Sequence, residues 1–296
     1  MNRNFMQLLK AMWAQDKFGG VGLDPDVTKI PKCIRDVLWE PGKYTVGDWI
    51  LTFNKRIIDT THDIACMYKP NYAFYEAHGN IGLNALRETI KYINKIAPEV
   101  PVILDYKRAD IGNTNIGSVQ AGFDDFGADA VTVNPYFGRE ALQPFLDRRD
   151  KGIIILCRTS NPGAGEFQDL PVIVDFDLKE TKPVYQIVAE KVSDYWNQNG
   201  NCLLVVGATA PEELKKVRNA VGDMPILIPG IGKQGGDLAL ALEAGLDSNM
   251  EGVIINSSRE ILYASDKDDY AEAARAKLLE LHEAIRKFRV DARASA

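Results

Sequence analysis

Eight short apolar runs recur along the chain, and each ends at a polar or glycine-bearing turn. They are rich in Val and Ile and do not alternate strictly, which is typical of parallel strands buried on both faces. The runs are 19–24, 65–71, 100–107, 129–134, 152–159, 201–208, 225–231 and 251–258. Helical patterns lie between them. The repeat therefore predicts an α/β protein whose strands close into a (β/α)₈ barrel, with a doubly wound open sheet as the alternative.

The predicted barrel has one additional helix and two long connections. The N-terminal stretch MNRNFMQLLKAMWAQDKF (1–18) has an amphipathic pattern, which predicts a helix before the first strand. Its apolar side consists of Phe5, Leu8, Leu9, Met12 and Trp13. The connection 25–47 follows the first strand, and the connection 160–182 follows the fifth. Long loops at strand ends usually cover a site, so we expect 160–182 to form a lid. No linker divides the chain, and residues 1–296 are expected to form a single barrel domain.

The composition argues against several classes of partner. The formal net charge is −6 and there is no basic tract, so nucleic acid is not an expected partner. No apolar run reaches membrane-spanning length and the N-terminus has no secretory leader, so we expect a cytoplasmic protein that does not associate with membranes. The four cysteines form no C-x-x-C pair and the three histidines have no metal-ligand spacing, so no metal site is expected.

The segment VILDYKRADIGNT (102–114) places charged residues where a buried strand ends. Asp105 and Lys107 are two residues apart, so on a regular strand both side chains point to one face. Asp110 follows in the turn, and Lys69 ends the preceding strand. A single buried Asp–Lys pair could serve only to hold the barrel together, whereas two acids and two lysines are costly to assemble without a function.

The neighbours of Lys107 constrain its chemistry. Acidic groups nearby favour the ammonium form, which is suited to donating a proton and unsuited to Schiff-base formation. The ammonium group also takes the place of a divalent metal between Asp105 and Asp110, so no metal is expected there.

Two turns near the C-terminus predict a phosphate site. The segment PGIGKQGGD (229–237) ends the seventh strand, and NSSRE (256–260) ends the eighth. Glycines let backbone N–H groups approach an anion, and Arg259 offers a planar fork to phosphate oxygens. These two loops commonly bind phosphate in (β/α)₈ barrels, although they could also be ordinary tight turns.

The charged segment resembles the D-x-K-x-x-D-I-x-x-T motif of the orotidine 5′-phosphate decarboxylase family, whose members make UMP. Further elements of that family's pattern follow in order, namely VGLDP, YKPN, TSNPG, PGIGKQGGD and the arginine after the eighth strand. The long loops are similar to those of the larger, second bacterial-type subgroup. Two positions depart from the pattern, because Ser258 stands where a glycine is usual and Asn161 follows Ser160.

The resemblance implies that the chain converts orotidine 5′-monophosphate (OMP) to UMP and CO₂ in pyrimidine biosynthesis, without a cofactor. It implies that Lys107 protonates the C6 carbanion and that Asp105 lies against the substrate carboxylate. The other implied contacts are Asp24 and Lys69 with the ribose, Ser160 with the pyrimidine, Gln234 with base and phosphate, and Ser258 and Arg259 with the phosphate. Lys69 is also implied to belong to the charged network. Asp110, Ile111 and Thr114 are implied to enter the partner subunit's site in a homodimer.

Two other functions stay open at this point. A Mg²⁺-dependent decarboxylase or aldolase of sugar phosphates has a similar D-x-K-x-x-D motif, and a noncatalytic barrel could simply bind phosphate. Ser160 and Gln234, placed to contact a pyrimidine, favour a nucleotide substrate. The charged quartet favours catalysis, because a binding protein needs no proton donor.

Overall fold

The computed structural model describes residues 3–38, 40, 42–232 and 235–295. Its strands are β1 (Gly19–Leu23), β2 (Tyr68–Pro70), β3 (Ile103–Arg108), β4 (Ala130–Val133), β5 (Gly152–Arg158), β6 (Pro171–Asp175), β7 (Glu180–Pro183), β8 (Cys202–Val206), β9 (Ile226–Pro229) and β10 (Val253–Ser257). Eight of them form a parallel sheet in the order β2-β1-β10-β9-β8-β5-β4-β3. Parallel bridges from Tyr68 to Val102 and from Asn71 to Asp105 join its two edge strands. The sheet is therefore closed, which confirms the predicted (β/α)₈ barrel and excludes the open sheet.

The barrel strands are mostly buried, and this explains their sequences; among their described residues, exposure appears only toward the carboxyl ends of β3, β5 and β9. Every residue of β1, β4, β8 and β10 is buried. A strand covered by helices outside and by side chains inside has no solvent-facing positions, so its apolar residues do not alternate with polar ones. Seven of the eight predicted runs contain one barrel strand each, and the remaining one, 100–107, ends one residue before β3 does.

Thirteen α-helices occur in the described part of the chain. They are α1 (Phe5–Trp13), α2 (Lys32–Val37), α3 (Val46–Thr61), α4 (Tyr72–Glu76), α5 (Gly79–Ile96), α6 (Gly112–Val119), α7 (Gly138–Leu146), α8 (Gly165–Gln168), α9 (Val184–Lys191), α10 (Pro211–Val221), α11 (Leu238–Gly245), α12 (Arg259–Leu262) and α13 (Tyr270–Ser295). None of them is long and apolar enough to cross a lipid bilayer.

The N-terminal helix α1 closes the amino end of the barrel, as its amphipathic pattern allows. Its residues Phe5, Leu9 and Met12 are fully buried. The Phe5 N–H donates to the carbonyl of Asp150, which precedes β5, and Trp13 Nε1 donates to the carbonyl of Val253 at the start of β10. The carboxyl end of the barrel is left for other groups.

Both long connections contain structure that the sequence did not predict. The first, 25–47, holds α2 and a 3₁₀ turn at Val27–Lys29. The second, 160–182, holds α8 and most of an antiparallel hairpin made of β6 and β7. These elements are too short for hydrophobic periodicity to reveal them.

Candidate active site

The carboxyl ends of the barrel strands surround a cleft of about 720 Å³. This is where the loops after the strands of a (β/α)₈ barrel carry functional groups. Among the residues proposed from the sequence, seven line it: Asp24, Lys69, Asp105, Lys107, Ser160, Ser258 and Arg259. They come from five different strand ends, and only closure of the barrel brings them together.

Asp105 is the centre of a hydrogen-bonded network on the cleft wall. Its Oδ2 accepts a hydrogen bond from Lys69 Nζ at 2.9 Å, and its Oδ1 accepts one from Lys107 Nζ at 2.7 Å. Thr132 Oγ1 donates to Oδ1 as well, at 2.9 Å. Lys69 and Asp105 are 4% and 8% exposed, whereas the Lys107 side chain is 47% exposed toward the cleft. The network thus holds one lysine inside the protein and presents the other to a ligand.

Electrostatics keep the buried members of this network charged. Burial alone would raise the pKa of Asp105, but the ammonium groups of Lys69 and Lys107 hold it below its ordinary value. Burial alone would lower the pKa of Lys69, but the carboxylates of Asp105 and Asp24 raise it. A buried carboxylate between two ammonium groups is therefore the stable arrangement at neutral pH.

The backbone at Lys107 departs from a regular strand. Lys107 has φ +48°, and the pairing of β3 with β4 shifts register between Leu104 and Arg108. The Lys107 N–H donates to Thr132 Oγ1 at 2.9 Å. The prediction that the Asp105 and Lys107 side chains project to one side is confirmed. The orientation of Lys107 results from a local backbone irregularity rather than from the regular alternation of a strand. Positive φ at a non-glycine residue is costly and concentrates at functional positions.

Within one chain, Asp110 does not join this network, which corrects the expectation that both acids lie beside Lys107 of their own chain. Its side chain is exposed, and Oδ1 accepts the N–H of Ile111 at 2.6 Å. The turn after β3 directs it away from the cleft toward the start of α6. Ile111 is 57% exposed, and Thr114 lies on a separate small groove beside Tyr106. Within one chain, these three residues are outside the cleft.

Two buried acceptors in the cleft lack a protein donor. Asp24 Oδ1 and Asn256 Oδ1 have no hydrogen-bond partner among the described residues. Buried polar atoms are normally paired, so these oxygens fit the hydroxyl or amide donors of a ligand. Asn256 and Thr132 were missed in the sequence. The available signal was that Thr132 is an isolated polar residue in the apolar strand β4, and that Asn256 is the first polar residue after the apolar run of β10.

Arg259 and the glycine turn form the other end of the cleft. Arg259 is exposed and forms no ion pair with another described residue. Gly230 and Gly232 have φ of +97° and +73°, and Gly230 lines the cleft together with Arg259. Gln234 lies outside the described residues, so its predicted contact with a ligand stays a prediction. The exposed guanidinium beside a glycine turn is suited to an anionic group.

The fold and the cleft are those of a barrel-type enzyme whose polar groups lie at the carboxyl ends of the strands. Residues 49–275 match the family model described as "Orotidine 5'-phosphate decarboxylase / HUMPS family". The chain belongs to this family.

Close relatives support the same conclusion. The orotidine 5′-phosphate decarboxylase of Janthinobacterium sp. (strain Marseille) is 47% identical over 285 residues, which are 96% of this chain and 98% of that protein. The orotidine 5′-phosphate decarboxylase of Cellvibrio japonicus is 45% identical over 283 residues, covering 95% of this chain and 98% of that one. The solved structure of Leishmania donovani OMP decarboxylase is 35% identical, with a TM-score of 0.81 over 97% of this chain and 99% of that chain.

Proposed function

We propose that this chain catalyses the decarboxylation of OMP to UMP and CO₂, a step of pyrimidine biosynthesis, without a cofactor. The observation that carries the proposal is the Lys69–Asp105–Lys107 network, which presents an ammonium group to the cleft in a chain whose relatives have this activity.

The proposed chemistry breaks the bond between C6 and the carboxylate carbon. CO₂ leaves, and the electron pair stays on C6 in the plane of the pyrimidine ring. Lys107 Nζ stabilises this pair as a fixed positive charge and then transfers its proton to C6. Asp105 holds Lys107 in place and faces the carboxylate of the substrate, and Lys69 keeps Asp105 ionised.

The proposed binding contacts divide the cleft into three parts. Asp24 and Lys69 contact the ribose hydroxyls, and the unpaired oxygen of Asp24 supports this role. Ser160 contacts the pyrimidine, with Gln234 bridging base and phosphate. The N–H of Ser258 and the guanidinium of Arg259 bind the phosphate. Phosphate binding far from C6 can contribute to the rate by holding loops over the ring.

The proposed enzyme is a homodimer with shared sites. Asp110, Ile111 and Thr114 lie outside the cleft of their own chain, on an exposed segment that follows β3 directly. We infer that they reach the partner subunit's cleft. We also propose that the whole chain is one domain and that the enzyme is cytoplasmic, where its four unpaired cysteines would stay reduced.

The test is to mix the protein with OMP, follow the ultraviolet band of the pyrimidine, and identify UMP and CO₂ as products. We expect full activity in EDTA. Binding of the nucleotide without turnover would point instead to a noncatalytic phosphate-binding barrel. Activity on a sugar phosphate that EDTA abolishes and Mg²⁺ restores would point to the metal-dependent branch.

A further inference from the structure

An ion pair between Arg158 and Asp169 connects the segment after β5 to the end of that strand. Arg158, the last residue of β5, donates from Nε to Asp169 Oδ1 at 2.8 Å and from Nη2 to Asp169 Oδ2 at 3.0 Å. Its Nη1 donates to the carbonyl oxygen of Thr159 at 2.8 Å. Paired contacts of this kind fix orientation as well as distance. The Arg158 side chain is only 15% exposed, which reduces screening by water.

Gln168 forms hydrogen bonds with the backbone N–H and the side-chain hydroxyl of Thr159. Its Oε1 accepts the Thr159 N–H at 2.9 Å, and its Nε2 donates to Thr159 Oγ1 at 3.0 Å. The same hydroxyl donates to Asn161 Oδ1 at 2.7 Å. The N–H, the hydroxyl and the carbonyl of Thr159 all have partners, so this residue has little freedom to rotate.

Two glycines make the arrangement sterically possible. A Cβ on Gly165 would lie 2.5 Å from Asp169 Oδ2, and a Cβ on Gly207 would lie 2.6 Å from Ser160 Cβ. Because glycine has no side chain at these positions, Asp169 can reach Arg158, and Ser160 can pack against the backbone after β8. The Thr159–Ser160 backbone is thereby held from both sides.

We propose that Arg158, Gln168 and Asp169 form a latch that positions Ser160 for contact with the base of the nucleotide. This inference rests on the proposed function, which gives Ser160 the base contact. Thr159, Ser160 and Gln168 line the cleft, whereas Arg158 and Asp169 do not. Arg158 and Asp169 therefore act through Thr159 and are positioning residues. The latch also separates the predicted lid 160–182 into two parts. Residues up to 169 are tied to β5, whereas the exposed hairpin β6–β7 takes no part in the latch.

The test compares a ligand that has a base with one that lacks it. Affinities for UMP and for ribose 5-phosphate are measured by calorimetry in the full-length protein. We expect Arg158→Ala and Asp169→Asn to weaken UMP binding by about tenfold and to lower kcat/KM for OMP by about tenfold to a hundredfold. Ribose 5-phosphate binding should stay within about twofold, since its contacts lie elsewhere. Arg158→Lys keeps the charge but loses the planar fork, so it should restore only part of the loss.

Arg275→Ala is the matched control. Arg275 also pairs through two nitrogens with one carboxylate, that of Asp63, and also donates to a backbone carbonyl, that of Thr60, but it lies outside the cleft. This variant should bind both ligands normally.

Three outcomes would overturn the latch. UMP affinity could be unchanged in the latch variants, UMP and ribose 5-phosphate could weaken equally, or Arg275→Ala could show the same selective loss. Asp169→Asn preserves side-chain volume next to Gly165, so it decides the question if Arg158→Ala does not fold. A wild-type protein that neither binds UMP nor converts OMP would refute the proposed function, and this inference with it.

Discussion

Replacement of Lys107 by alanine should separate catalysis from stability. The Lys107 side chain is 47% exposed, so solvent screens part of its interaction with Asp105. In the variant, Asp105 keeps Lys69 Nζ at 2.9 Å and Thr132 Oγ1 at 2.9 Å, and no buried carboxylate is left unpaired. We expect the free energy of unfolding to change by less than about 1 kcal/mol. Chemical denaturation monitored by circular dichroism measures this change.

Turnover should fall far more than stability. A positioned proton donor contributes about 10²–10⁴-fold, and a fixed charge beside a developing anion contributes about 10²–10³-fold. Lys107 has both roles in the proposed mechanism, so we expect kcat to fall by at least about 10⁴-fold. The assay follows the ultraviolet band of OMP with enzyme in excess. Activity within tenfold of wild type, or a loss of stability above about 3 kcal/mol, would refute this reasoning.

The backbone at position 107 provides a second comparison. A side chain at positive φ costs about 1–2 kcal/mol relative to glycine, and Lys107 has φ +48°. Lys107→Gly should therefore be more stable than Lys107→Ala by about 1 kcal/mol and equally inactive. Equal stabilities of the two variants would show that the conformation carries no strain.

Three further predictions concern other parts of the molecule. Arg259→Ala should raise the KM for OMP by about tenfold or more while leaving uridine binding unchanged, because it removes a charge-assisted contact to phosphate only; equal weakening of both ligands would contradict this. Burial lowers the pKa of His282 to about 4. An unfolded histidine titrates near about 6.5, so the protein should lose up to about 3 kcal/mol of stability as the pH falls from about 6.5 to 4, and none of this above it. The His282→Gln variant, measured by denaturation across the same pH range, should not show this loss of stability. If its pH profile matched that of the wild type, the loss would come from other titrating groups. Arg3→Ala should lower the free energy of unfolding by about 3 kcal/mol with kcat unchanged, because it leaves the carboxylate of Asp129, 1% exposed, without its charged partner at the amino end of the barrel. If Arg3→Ala also lowered kcat at a temperature where the variant is folded, the amino end of the barrel would affect catalysis at the carboxyl end, contrary to this prediction.

The barrel was predictable because its signal is local and repeated. Each buried strand is a short apolar run, and each long helix has its own periodicity, so eight strand–helix pairs can be counted without knowing any contact. Short elements such as α8 and the hairpin β6–β7 lack that signal. The end of α8 is held by the contact between Arg158 and Asp169, which are eleven residues apart with no pattern to link them.

The site was predictable in its members more than in its geometry. Charged residues at the ends of apolar runs identified Lys69, Asp105 and Lys107, because burying such groups is costly unless they are paired. The same reasoning placed Asp110 in the network of its own chain, where the structure does not have it, since closeness in sequence does not say where a turn directs a side chain. Its role in the partner subunit's site stays a prediction. Thr132 could not be found in this way, because its hydroxyl matters only through its hydrogen bonds with Asp105 and the Lys107 backbone.

The sequence by itself determined which residue types are available and at which strand ends they occur, because hydrophobic runs and motifs are properties of neighbouring residues. Only the tertiary structure decided which of them meet. The closing bridge between Asn71 and Asp105 brings the ends of β2 and β3 side by side, and the positive φ at Lys107 turns its ammonium group toward Asp105. The eight repeats predict that the barrel closes. They do not give the distances of a few ångströms between strand ends, because these depend on strand register and on local backbone irregularity.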